Sequence, residues 1–348
     1  MRDLSRYQDT GLALTIGVAS GLLGFRIGMP LPWMLGPMIG TTIAAMAGVP
    51  VRGPGKLRPI VIPVIGVLLG SGITADLFGQ FGSWALTLAL LPLFLAAAAA
   101  VSYTVYRRLG GYDPVTAFYA AMPGGLNEMM ILGAAAGGDD RKIALAHAAR
   151  VLIVIFLVVM YFGIVLGVRS GAGARGFVPL TALSVADYLI LGACALVGAT
   201  LGKRLKLPAA PVFGPMILSG LVHVAGWVEV APPTVIVITA QIVIGTVIGA
   251  RFVGASVRDI LRDIAIGLIA TVGMLAVAVL FAESIAAVMG MPLSQAFLAY
   301  APGGLTEMSL LTLALGQDIA YVSVTHIIRI TMIIAAAPIV FARVRRGT

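Results

Sequence analysis

The chain has 348 residues, of which 60% are hydrophobic and only 11% charged, and its mean hydropathy is +1.05. Soluble domains carry about 25% charged residues, so this composition excludes a soluble globular protein and makes lipid the solvent. The formal charge of +9 does not mark a nucleic-acid binder, because Lys and Arg stand in short loops between apolar runs rather than on one soluble face.

Apolar runs of about 17–25 residues recur along the whole chain, the length that crosses a roughly 30 Å hydrocarbon core as helix. The first, 10–26, follows Met1-Arg2-Asp3-Leu4-Ser5-Arg6 without a clean cleavage site and reads as a retained helix, not a targeting peptide. Runs follow at 32–49, 59–76 and 83–106, then a segment at 113–137 interrupted by Pro123, Gly124 and Gly125, then a long run at 142–168. The connector 169–183 holds Gly171, Gly173, Gly176 and Pro179. The same order then returns, with runs at 184–202, 208–226, 233–251 and 263–285, an interrupted segment at 292–316 and a final run at 319–342. The single cysteine, Cys194, lies inside an apolar run, where it packs as a small hydrophobe and excludes an intramolecular disulfide.

The second half echoes the first at an offset of about 179 residues. LPWMLGPMI at 31–39 answers APVFGPMIL at 210–218, and MPGGLNEM at 122–129 returns as APGGLTEM at 301–308. Gly66 and Gly70 recur as Gly245 and Gly249, and the pair His147 and Arg150 as His326 and Arg329. Shared apolar composition does not produce that register. The chain therefore reads as a duplicated unit, repeat 1 over 1–175 and repeat 2 over 176–348.

Whether the interrupted segments cross decides the topology, and positive charge favours the cytoplasmic side. If all twelve segments cross, the Lys and Arg residues other than Arg150 and Arg329 divide 12 to 9. If 113–137 and 292–316 dip in and return, they divide 18 to 3, the three being Arg26, Arg169 and Arg175. The second arrangement predicts an all-α polytopic membrane protein of two inverted-topology repeats, each with five transmembrane helices and one re-entrant helical hairpin. Both termini are then cytoplasmic.

Each hairpin arm is about three helical turns, so the Pro-Gly-Gly tips reach about half the bilayer depth. Proline has no amide to donate and glycine permits a turn with positive φ. The arm that starts after the turn offers unpaired N–H groups and the positive end of its dipole. Broken helices at that depth are tolerated only in protein or beside water, and in secondary transporters they build the substrate and ion site.

The candidate binding residues follow: Gly124, Gly125, Asn127 and Glu128 at the first tip with His147 and Arg150 on the next helix. Gly303, Gly304, Thr306 and Glu307 with His326 and Arg329 are their second-half equivalents. A buried carboxylate at a tip suits a coupling proton or cation, with Arg150 and Arg329 as partners for it or for an anionic solute. Glu–Arg pairs that only lock each hairpin are the structural alternative. Asn127 and Thr306 could equally be caps, and the histidines either proton carriers or hydrogen-bonded structural groups. Asp139 and Asp318 suit helix N-caps, and His223 a helix end.

The doubled Pro-Gly-Gly-Leu-x-Glu-Met signature at 123–129 and 302–308, with LPWMLGPM at 31–38, resembles the AbrB-type duplicated bacterial membrane proteins along nearly the whole chain. The resemblance implies a location in the bacterial cytoplasmic (inner) membrane and a transport role. Members also carry the labels ammonia monooxygenase and AbrB regulator. Three histidines standing singly are no copper cluster, and a connector of about fifteen residues is no DNA-binding module. The expectation is a non-enzymatic secondary transporter or exporter of a small anionic organic solute, coupled to protons or sodium, with no cofactor or resident metal. No Walker-type motif marks ATP hydrolysis. Its partners are the solute, the coupling ion and the bilayer, with no nucleic acid, and homo-oligomerisation is left open. A membrane sensor regulating gene expression through a partner is the rival reading.

Overall fold

The computed structural model describes residues 2–29, 31–74, 81–161, 176–252 and 257–346. Among them are fourteen α-helices, a few 3-10 turns and no strand. The first half contains α1 (Arg2–Arg26), α2 (Pro32–Met46), α3 (Arg58–Gly70), α4 (Ala85–Arg108), α5 (Pro114–Ala121), α6 (Leu126–Ala135) and α7 (Asp140–Met160). The second contains α8 (Val185–Arg204), α9 (Ala210–Val224), α10 (Thr234–Gly249), α11 (Val257–Met289), α12 (Leu293–Tyr300), α13 (Leu305–Ala314) and α14 (Ile319–Arg346). The loop at Asp76 and residues 169–175 of the connector, with Arg169 and Arg175, lie outside the described residues.

Among the described residues, four helices are long and apolar enough to cross a membrane: Ala85–Arg108, Val185–Arg204, Leu261–Met289 and Ile319–Ala342. Helices α2, α3, α9 and α10 have 13 to 16 residues, about 20–24 Å at the helical rise. Helices α2 and α9 are shorter than their apolar runs because the backbone stops them early. Gly48 and Gly226 adopt φ of 78° and 71°, and the following amides bond back to Ala44 and Val222. That wrap satisfies terminal carbonyls and ends the helix within a still apolar stretch.

Some positions about 179 residues apart share unusual backbone conformations. Leu31 and Ala209, the N-caps of α2 and α9, both take left-handed conformations with φ 48°, and Gly111 and Gly137 have positive-φ counterparts in Gly290 and Gly316.

The chain forms two compact units, each drawing on both halves. One comprises Met1–Phe78, Val158–Ala255 and Ser309–Ala320. In it the repeated glycines interlock. An added Cβ on Gly66 of α3 would strike the Val212 carbonyl of α9, and one on Gly245 of α10 the Met34 carbonyl of α2. Gly70 meets Met216 in the same way, and Gly249 meets Met38. The third helix of each half thus lies backbone to backbone on the second helix of the other, the close approach that small residues permit in lipid. Ser219 reinforces one crossing by donating to the Val67 carbonyl at 2.8 Å. The Gly-Pro-Met motifs serve the same packing: Gly36 leaves room for the backbone of Ser20 and Gly21, and Gly214 for Gly198. Cys194 is buried with Val67, Leu191 and Val228.

The other unit comprises Gly79–Leu157, Ser256–Met308 and Tyr321–Thr348. It is built around α4 packed on α11, and it contains both Pro-Gly-Gly breaks. Its aromatic contacts include Phe94 edge-on to Phe281 and Tyr300, and Phe118 tilted against Phe341.

Candidate functional site

The interrupted segments form helix, break, helix. Asp113 starts the first arm, accepting from the amides of Val115 and Thr116 at 3.0 Å each. Partial burial opposes its charge, but these bonds outweigh it and hold the carboxyl below its ordinary value. Asp139 and Asp318 accept amide bonds at the starts of α7 and α14, from Lys142 and Ala320. His223 closes α9 against the Ser219 carbonyl at 2.7 Å.

The tips do not use left-handed glycine. Gly125 has φ −66° and ψ 137°, and neither it nor Gly124, Gly303 or Gly304 has positive φ. The expected turn is instead an extended step, and glycine is required there for space. A Cβ on Gly125 would collide with the Glu128 carboxylate, one on Gly304 with that of Glu307, and one on Gly124 would come 2.8 Å from Ile333 of α14. Each glutamate thus folds back over the start of its own helix, a favourable place for negative charge near unpaired amides.

The arginines bond the backbone of the breaks. Arg150 donates to the carbonyls of Met122 at 2.8 Å and Gly124 at 3.1 Å. Arg329 repeats this at Ala301 and Gly303, both 2.6 Å. These carbonyls lie just beyond the first arms, where the break removes their helical donors. A rigid guanidinium fork answers two at once, so terminal N–H groups of both arginines bond the backbone of the break.

The histidines share that work. His147 bonds the Tyr119 carbonyl and His326 the Leu298 carbonyl, each through Nε2 at 2.9 Å. A carbonyl only accepts, so Nε2 carries the proton in both. In the first half Nδ1 then accepts from the Arg150 guanidinium at 2.9 Å, whereas the His326 Nδ1 has no hydrogen-bond partner.

The two tips are also unequal in burial. Glu307 is 7% exposed and Glu128 is exposed. Thr306 is half-buried, and the Asn127 side chain lies outside the described residues. Gly124 of the first break touches Ile333, one turn beyond Arg329. The unit therefore brings the breaks, both arginines and both histidines of the two halves into one region. Sequence reasoning missed the acceptors, because carbonyls carry no side-chain signature. It also missed the Tyr112 hydroxyl, which donates to Asp263 at 3.0 Å and ties the start of the first hairpin to α11.

A family model described as Transition state regulatory protein AbrB matches residues 33–345. An uncharacterized Bacillus subtilis (strain 168) protein, YhjN, is 25% identical over 351 residues, covering 93% of this chain and 90% of its own length. A candidate regulator named AbrB from Escherichia coli (strain K12) is 24% identical over 318 residues, covering 91% of each chain. With the family model spanning almost the whole sequence, this chain belongs to the AbrB family.

Proposed function

We propose that the protein is a multi-pass inner-membrane transporter of a small anionic organic solute, coupled to a proton or sodium ion, with alternating access around the two breaks. The observation that carries this reading is the meeting of two arginine-clamped helix breaks, one from each half, in a single compact unit. In this reading ten helices cross, two hairpins re-enter, the halves are inverted and both termini are cytoplasmic. Reporter fusions are expected to report a cytoplasmic loop at Gly110 and an external one at Ala231. A cytoplasmic Ala231 removes the inversion.

Coupling follows from competition for one place. The N-terminus of α13 attracts an anion, but the Glu307 carboxylate already lies over it. A proton or cation on Glu307 cancels that charge and lets a solute carboxylate take the amides, with the arginines adding positive potential. An anion without its ion is then refused. In proteoliposomes, gradient-driven flux of a solute found by thermal-shift screening is expected to fall at least about tenfold in Glu307→Gln, a coupling loss of roughly 1.4 kcal/mol. The exposed Glu128→Gln is expected to lose less. Unchanged flux in both variants overturns the coupling role.

The name of the Escherichia coli relative, a regulator, favours a second reading, a membrane sensor that signals to a partner. Stable solute binding with no flux under any ion gradient supports that reading instead.

A further inference from the structure

Hydroxyls buried in apolar helices ordinarily bond a carbonyl three or four residues back. Thr41, Thr42, Thr87 and Thr325 all do so, at 2.5–2.8 Å. Ser102 of α4 and Thr271 of α11 do not. Each is 1% exposed and neither hydroxyl has a hydrogen-bond partner. A third atom shares that condition, the Nε of Arg150, whose side chain is 5% exposed.

Packing brings the helix segments that carry these three atoms together. Helices α4 and α11 run antiparallel: Arg262 reaches the Gly110 carbonyl at 3.3 Å, Gly273 faces Val101, and Phe281 meets Phe94. Ser102 and Thr271 therefore stand at the same depth. Helix α7 joins them through Gly267, where an added Cβ would lie 3.3 Å from that of Ala149. Tyr106, Ala146, Ile266 and Ala270 form one buried cluster. Ser102 lies one turn before Tyr106, Arg150 one turn after Ala146, and Thr271 next to Ala270.

The second half has no such set. The positions 179 residues away from Ser102 and Thr271 are Phe281 and Pro92. Arg329 also has an unpartnered Nε, but duplication supplied the arginine twice and the hydroxyls once.

We propose that Ser102 Oγ, Thr271 Oγ1 and Arg150 Nε form a binding site for one small monovalent anion of halide size. Three unpartnered buried N–H and O–H donors lie on these packed helices, and the remaining Arg150 bonds go to neutral carbonyls and a histidine, so the buried guanidinium charge has no counter-charge among its partners. Water would satisfy the donors yet leave the charge uncompensated. The anion supplies both, and it supports the clamp on the first break whether or not the protein moves a solute.

The test uses the purified full chain. Crystals grown in bromide are expected to give an anomalous peak among Ser102, Thr271 and Arg150. Absence of a peak there overturns the site, and this readout needs no variant. In detergent, chloride is expected to raise the unfolding midpoint by about 2 °C or more over gluconate at equal ionic strength. That shift is expected to vanish in the Ser102→Ala, Thr271→Val double variant. Equal wild-type midpoints in the two salts, or a shift retained in the double variant, refute the proposal.

Discussion

Arg329→Met is expected to lower stability by about 2–4 kcal/mol, because two buried carbonyls lose their donors at about 1–3 kcal/mol each. Methionine keeps the length and apolar stem, so the change isolates the fork. Arg329 is 2% exposed and both its carbonyl bonds are 2.6 Å, which leaves water little access to replace it. Arg329→Lys is expected to recover only part of the loss, since a point-like ammonium does not span Ala301 and Gly303 as a planar fork does. Thermal unfolding in detergent is the measurement. A methionine variant with the wild-type midpoint would mean that the clamp does not hold the break.

The second large effect belongs to the glycine interlock. Gly70→Ala is expected to destabilise by about 2 kcal/mol or more through overpacking. Its Cβ would come 2.6 Å from that of Ser219 and 2.8 Å from the Gly220 nitrogen. Backbone cannot rotate away as a side chain can. Gly249→Ala is expected to behave alike, with Thr41 Cβ at 2.9 Å and the Thr42 nitrogen at 3.0 Å. The control has the opposite sign. Gly192 lies mid-helix in α8 with nothing within 4 Å of an added Cβ, so Gly192→Ala is expected to be neutral or to stabilise by up to about 1 kcal/mol. Equal midpoints for Gly70→Ala and Gly192→Ala would show that the crossing has slack.

Much of the break was legible as sequence. Pro-Gly-Gly inside an apolar run, followed by a glutamate, marks an interruption within a residue or two of its ends, because proline and glycine act on local backbone. The doubled His-x-x-Arg was also visible. What those side chains touch was not, since an arginine two turns into the following helix suits a carboxylate or a carbonyl equally well by spacing alone.

The sequence by itself determined the helical class, the two helix breaks and the residues gathered around them, since apolar run length and backbone breakers are local or one-dimensional properties. Only the tertiary structure decided that each glutamate covers its own helix start, that the arginines clamp carbonyls, and that glycines of one half seat the backbone of the other. Those outcomes depend on which backbone atoms lose their helical partners and which helices cross close enough to exclude a methyl group. Such facts arise from the meeting of segments far apart in the chain.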